Sequence, residues 1–506
     1  MADGRRALAL AVAAWCGVGA AAAQQGAGGR SVTLTPTLSI TQTLTDGYRG
    51  QATAVAEGRR AEAITTVSPG LRLVSRSGRL QGSFDYSLGA VVHARDSEAN
   101  DLQHRLAASG RAEIVQGHLD VNAAASIARQ PTSAFGAQSV DGTLTDLNQS
   151  EVRTLSLQPV LRGVLGGVLG VQASANASRS DGGSQIGSRS SGASLSLSPA
   201  AVGRVIGWSL QGSRQTSNFD GGRETTIDRV VASVIVRPDA ELQVTVRGGV
   251  ERSDLASVER REYQNYGAGL LWTPTPRTRV SIDGDRRQFG QAHQLALEHR
   301  MRRSVWRFTD IRSINDGTSS NGVGNSVTAY DLFYELFASQ EPDPFLRDLL
   351  VRDFLARNGI DPATRLGGGG FLTSAVSIQR RQELSFALLG QRTTWTVSAY
   401  QTRSERGDPL SDASDDLTAG PVTQRGLSVT VNHRLTPIAS LSFNASSQRS
   451  RSDSAGRNGL DSVALGWNTR LGRNSNLALT VRHAEHDADI EPYTENAVTA
   501  AFSTRF

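Results

Sequence analysis

From residue 32 almost to its end, the chain alternates apolar and polar positions with a period of two. In residues 79–92 the even positions hold Leu80, Gly82, Phe84, Tyr86, Leu88, Ala90 and Val92, while Gln81, Ser83, Asp85 and Ser87 occupy odd ones. The same pattern returns in 119–127, 241–251, 425–433 and 476–482. A period of two belongs to strands, whose successive side chains point to opposite faces. Short turn signals, such as Pro238–Ala240 and Gly472–Ser475, alternate with longer polar stretches at 93–101, 130–150, 180–191, 215–227, 253–262, 404–424, 450–460 and 485–494. Segments of about ten residues with one apolar face, joined by alternating tight turns and long loops, predict a transmembrane barrel. The expected fold is therefore all-β: an antiparallel up-and-down β-barrel of about 22 strands, with a window of roughly 16–22. Reading 371–389 as a single strand makes the strand number even.

One stretch, 313–370, does not alternate. Tyr330, Leu332, Phe333, Leu336 and Phe337 recur at helical spacing. Asp343-Pro344 then reads as an N-cap with proline at the first helical position. Phe345, Leu346, Leu349, Leu350, Phe354 and Leu355 continue an apolar stripe as far as Asn358-Gly359. A helical insertion is expected near 328–360, with Phe333, Phe337, Phe345 and Phe354 as its anchors. It is expected to fill the lumen or mouth as a gate, with the membrane surface or a docked partner as alternatives.

The first 23 residues read as a secretory signal peptide: Arg5 and Arg6, an apolar core from Ala7 to Val18, and Ala21-Ala22-Ala23 before Gln24. Residues 24–506 are then the barrel, and the chain is exported. The single cysteine, Cys16, lies in the leader, so no disulfide is expected in the mature chain. Only about eight residues separate Gln24 from the first strand, too few for the N-terminal plug of a TonB-dependent transporter.

The composition acquires a meaning once the pattern is known. Only 38% of the 506 residues are hydrophobic, as expected when every second strand position is polar. The 53 basic residues, all arginine, nearly balance 48 acidic ones. That balance leaves no basic tail for nucleic acid, and the absence of lysine excludes a Walker phosphate loop or a Schiff base. Arg105, Arg111, Arg247, Arg279 and Arg403 occupy polar positions expected to face the lumen. With carboxylates such as Asp85, Glu113, Glu251, Asp283 and Asp285 they form either a self-neutralising network or a passage for an anionic polymer or solute.

Chemistry-bearing clusters are few. His483, His486, Asp487, Asp489 and Glu491 have metal-ligand types, but extended chain would send residues three apart to opposite faces. Asp408, Asp412, Asp415 and Asp416 form an acidic loop suited to a cation contact with lipopolysaccharide, or simply a polar loop. No metal, cofactor or catalytic residue is expected, and the chain is not expected to be an enzyme. Trp208, Trp272, Trp306, Trp395 and Trp467 fall at or near strand ends, where an interfacial girdle belongs. Val498, Ala500, Phe502, Thr504 and Phe506 share one face of the last strand. This resembles the terminal signal read by the outer-membrane barrel assembly machinery, so Phe502 and Phe506 are candidate assembly residues.

VTLTPTLSITQTLTDGY at 32–48, TVSPGLRLVSRSGRLQGSFDYSL at 66–88 and EYQNYGAGLLWTPTPRTRVSIDGDRRQFG at 262–290 carry a family resemblance. So does the insert YDLFYELFASQEPDPFLRDLLVRDFLARNGIDP at 330–362. Together they resemble the outer-membrane proteins associated with the PEP-CTERM/exosortase system, although Asp46-Gly47 stands where Asp-Asn is more usual. The resemblance implies a barrel in the bacterial outer membrane, linked to exopolysaccharide production and surface-protein sorting. The expected partners are outer-membrane lipid, the assembly machinery, and exopolysaccharide or its export components. The expected function is a conduit for polymer or solute; the alternative is a closed structural or adhesive barrel whose loops bind polysaccharide or sorted proteins.

Overall fold

The computed structural model describes residues 31–48, 60–138, 140, 148–182, 187–201, 205–220, 222–255, 257–315, 329–338, 341, 344–358, 370–412, 414–489 and 492–506. The expected signal peptide lies outside these residues. Twenty-two antiparallel strands form one sheet, each paired with its neighbours in the chain, and β22 pairs back onto β1. The strands are β1 (Ser31–Tyr48), β2 (Arg60–Arg76), β3 (Leu80–His93), β4 (Asp101–Val115), β5 (Leu119–Pro131), β6 (Gln149–Leu165), β7 (Leu169–Asp181), β8 (Gly187–Pro199), β9 (Ile206–Phe219), β10 (Thr225–Val236) and β11 (Leu242–Ser253). They continue as β12 (Arg261–Thr275), β13 (Thr278–Arg287), β14 (Gly290–Arg300), β15 (Ser304–Asn315), β16 (Ser377–Leu389), β17 (Thr393–Arg406), β18 (Val422–Arg434), β19 (Ala439–Ser452), β20 (Gly456–Arg470), β21 (Ser475–Ala488) and β22 (Tyr493–Arg505).

Closure runs from Thr37 opposite Arg505 to Thr45 opposite Ala497, and the Phe506 N–H donates to the Pro36 carbonyl at 3.0 Å. A closed sheet leaves no open edge, which is what a strand structure must achieve in hydrocarbon. The outward face carries an apolar belt: Leu34, Leu44, Leu157, Leu161, Val234, Val246, Leu465 and Val498 are all exposed there. Among the described residues no helix is long and apolar enough to cross a membrane.

One rim holds the short turns. Between β6 and β7, Gly166 (φ 59°) and Gly167 (φ 74°) both adopt the left-handed conformation, and the Val168 N–H reaches the Leu165 carbonyl at 3.2 Å. Two successive positive φ values are what a tight hairpin of matching twist requires, and glycine meets them without strain. The five tryptophans of the strands, Trp208, Trp272, Trp306, Trp395 and Trp467, lie within four residues of the short-turn ends of their strands, facing outward. They therefore form a girdle on one rim only.

The opposite rim differs from expectation. Strands run past the end of the apolar belt, so several loops are shorter than the sequence suggests; β19 and β20 are separated by residues 453–455 alone. There the backbone ladder continues while both faces turn polar, as in Arg449, Ser450, Arg451 and Ser452. Conversely, β16 begins at Ser377, and residues 371–376 form an irregular strap.

Candidate conduit and its plug

Alternation assigns each polar residue to a face. On β3–β9 the inward positions carry amides, hydroxyls and guanidinium groups, including Gln81, Ser109, Asn122, Gln158, Gln172 and Gln211. Several of them line a polar recess of about 510 Å³ in the inner wall, together with Arg111. Arg111 donates from Nε and Nη2 to the Asp120 oxygens at 3.2 and 2.9 Å, and Arg162 reaches the same carboxylate. Arg105 and Arg279 also face inward and are exposed.

On β10–β13 the inner wall carries a charge network. Arg247 donates to Asp285 at 2.6 Å and also pairs with Asp283. Arg229 reaches Asp285 and Asn265, each at 3.2 Å. Arg287 donates to the fully buried Glu251 at 2.8 Å. Three guanidiniums meet three carboxylates, so the wall is close to neutral here. Arg229, Arg287 and Arg162 went unnoticed in the sequence, although their parity within each strand puts them on the same face as the residues singled out.

Arg403 faces the other way. It pairs laterally with Arg380 and Thr423 and shares its face with Trp395 and Val397. Near the long-loop end of β17 both faces are polar, so polarity alone does not reveal which is inside. Arg403 is therefore a residue of the outer surface and not of the lumen.

The insert folds inward. Its helices, α1 (Ala329–Phe337) and α2 (Pro344–Asn358), pack on each other through Phe333, Phe337 and Phe354, with ring centroids 4.9 and 5.3 Å apart. Tyr330 donates to Asp348 at 2.6 Å, and Arg352 donates to the same carboxylate at 2.8 Å. The apolar stripe of α1 lies against Val305 and Ala387, inward residues at the short-turn ends of β15 and β16. The hairpin thus hangs from the long-loop rim and reaches deep into the lumen. The Phe345 side chain, residues 316–328 and Gly367–Gly369 lie outside the described set.

The wall behind the helices, β15–β18, is polar yet buried. Ser385, Ser398 and Thr402 are each at most 1% exposed, and Arg381 pairs with Glu383 at 3.1 Å while stacking over Tyr400.

At the long-loop rim the described loops bond to one another. The Ser133 hydroxyl and Ala134 N–H donate to Asp416 at 2.9 and 2.6 Å, and Asn458 donates to the Gly136 carbonyl at 2.8 Å. Arg223 donates to Asp408 at 3.1 Å, and Arg406 to Asp415 at 2.8 Å. Ser374 N–H donates to Asp415 at 3.0 Å, while Leu372 N–H donates to the Pro131 carbonyl at 3.1 Å, tying down the strap 371–376. Three carboxylates of the acidic loop are thus spent on internal bonds that knit the loops together. The histidines of the last hairpin separate: His483 faces outward beside Asn496 (2.8 Å), and His486 faces inward beside Asn458 (2.8 Å). Glu491 lies outside the described residues.

Phe502 faces outward between Ile40 and Leu477, and Phe506 is 73% exposed.

No protein-family model matches the chain, and no curated protein matches it. Among solved structures, it is similar to the siderophore receptor PirA of Pseudomonas aeruginosa, at 11% identity over 94% of this chain and 80% of that one, with a TM-score of 0.43. It is also similar to the FrpB iron transporter of Neisseria meningitidis, at 10% identity over 93% and 81%, with a TM-score of 0.47. OccK5 (OpdH) of Pseudomonas aeruginosa gives 11% identity over 94% and 98%, with a TM-score of 0.33.

Proposed function

We propose that the chain is a gated outer-membrane conduit for a hydrated polymer, with the helical insert as its gate and no enzymatic activity. The short turns then face the periplasm and the long loops the exterior, as in bacterial barrels. One observation carries the reading: among the described residues the lumen is divided between a wall covered by the insert and a polar wall whose side chains are exposed. Hydroxyl, amide and guanidinium groups along the open wall match the hydrogen-bonding needs of a carbohydrate chain, which offers many hydroxyls and few apolar faces. Exopolysaccharide is the substrate class this wall suits, in keeping with the resemblance to barrels of the exosortase system. Planar-bilayer conductance tests the proposal. The intact barrel is expected to conduct weakly, and one lacking residues 316–370 is expected to conduct strongly and to be blocked by added polysaccharide. If neither form conducts, the chain is no conduit.

The bonds between the rim loops favour a second reading, a structural or adhesive barrel whose loops bind polysaccharide. Polysaccharide capture by the intact barrel, lost when residues 132–147 are shortened, would favour that one.

A further inference from the structure

On the outer surface of β15–β20 the register aligns two rows of polar side chains just above the apolar belt. The first row runs Arg312, Arg380, Arg403, Thr423, Arg451 and Arg457 across six adjacent strands. The second, one step nearer the belt, runs Asp310, Gln382, Gln401, Arg425 and Arg449. The next outward positions are Phe308, Leu384, Ala399 and Leu427, followed by Trp306, Phe386, Val397, Val429 and Ala445. On β15–β18 the change from polar to apolar occurs within one step of two residues, about 7 Å along a strand, whereas Ser447 and Asp461 hold that level on β19 and β20.

Seven guanidiniums face outward on these strands against three carboxylates, Asp310, Glu405 and Asp461, and Glu485 and Asp487 flank the patch on β21. Arg380 is held by Asp310 at 2.7 Å, Arg312 by Glu405 at 3.3 Å, and Arg449 by Asp461. Arg403, Arg425, Arg451 and Arg457 are exposed, and none of their guanidinium groups forms an ion pair with a carboxylate among the described residues, although the Arg457 backbone N–H donates to Asp489 at 2.9 Å. Arg380 stands directly opposite Arg403, Arg425 opposite Arg449, and Arg451 opposite Arg457. Like charges directly opposite one another are unfavourable in a sheet, and an anion lying across them would remove the penalty. Guanidinium forks match phosphate oxygens two at a time.

We infer that this belt binds the phosphate groups of anionic lipid in the leaflet on the long-loop side, with Arg403, Arg425, Arg451 and Arg457 as the principal contacts. The position is right for a headgroup, because the acyl chains would lie against the aromatic and aliphatic rows immediately below. The inference rests on the membrane-spanning barrel and is independent of what the lumen carries.

The test uses the full purified barrel in zwitterionic micelles, offered bisphosphorylated lipid A, its dephosphorylated form or phosphatidylcholine. Bound lipid is counted by native mass spectrometry. Wild type is expected to retain the bisphosphorylated lipid selectively, and increasingly less as salt is raised. The quadruple variant R403Q/R425Q/R451Q/R457Q is expected to lose on the order of a thousandfold in retention. R105Q, which alters the lumen, should retain lipid as wild type does. Equal retention by the quadruple variant, or equal retention of the dephosphorylated lipid by wild type, overturns the inference. Should the quadruple variant fail to fold, R403Q and R425Q are tested singly, and undiminished retention by both overturns it equally. Conductance is measured on the same samples, so failure of the conduit reading is seen separately.

Discussion

Val305 on β15 and Ala387 on β16 stand directly opposite each other on the inner wall, and both are at most 1% exposed beneath α1. They form the floor on which the insert rests, through an apolar contact that includes Phe333 and Leu336. A carboxylate placed there without a partner would cost on the order of 3 kcal/mol in the seated state and little once the insert leaves. Ala387→Asp is therefore expected to raise conductance and to expose the arginines of α2 to trypsin, while the barrel keeps its heat-modifiable mobility on gels. Wild-type conductance in this variant would show that the insert does not gate.

The Arg247 fork to Asp283 and Asp285 is the centre of the charge network in the wall. Arg247→Gln leaves two carboxylates on one strand face, two residues apart, without their shared cation. The Asp283 side chain is 41% exposed, so solvent screening reduces the loss to about 1 kcal/mol. A lower urea midpoint for refolding in micelles, with an unchanged slope, would report it. Adding Asp283→Asn should restore part of the midpoint, whereas a purely steric effect would not respond.

Loop docking at the mouth should depend on pH through Asp416. Burial pushes its carboxyl above the ordinary value, against the hydrogen bonds from Ala134 and Ser133, which act the other way. An acid with a raised value in the docked state binds its proton more tightly there than in the undocked state. Docking therefore strengthens as pH falls through the raised value and reaches its full strength below the ordinary carboxylate value. Hydrogen exchange at residues 132–138 should slow on mild acidification in wild type and lose this response in Asp416→Asn. An identical pH response in the two proteins would remove Asp416 from the account.

The barrel was readable in the sequence because period-two alternation is a direct image of a sheet with lipid on one side and water on the other. Strand number followed from the requirement that faces agree in parity around the closure. The helices were readable as well, since Phe333 and Phe337 recur at a different period. What the chain did not reveal is orientation wherever both faces are wet. Arg403 and Arg247 have similar neighbours in sequence, yet one faces out and the other in. Nor could the loop contacts be read. Asp416 meets Ala134 across 282 residues, a pairing with no local signature.

The terminal phenylalanine separates folding from assembly. Its backbone N–H closes the sheet on Pro36, but its ring is 73% exposed and stands beyond the last paired residues. Phe506→Ala should therefore leave stability in micelles within about 0.5 kcal/mol of wild type. If the last strand is read by the assembly machinery, the same substitution should reduce the amount of barrel reaching the outer membrane in cells, with unfolded chain accumulating in the periplasm. Phe502→Ala, which also removes an outward ring between Ile40 and Leu477, should lower both quantities. Normal membrane levels of the Phe506→Ala protein would show that the terminal ring is not a recognition element, and a large loss of stability in micelles would show that it is structural.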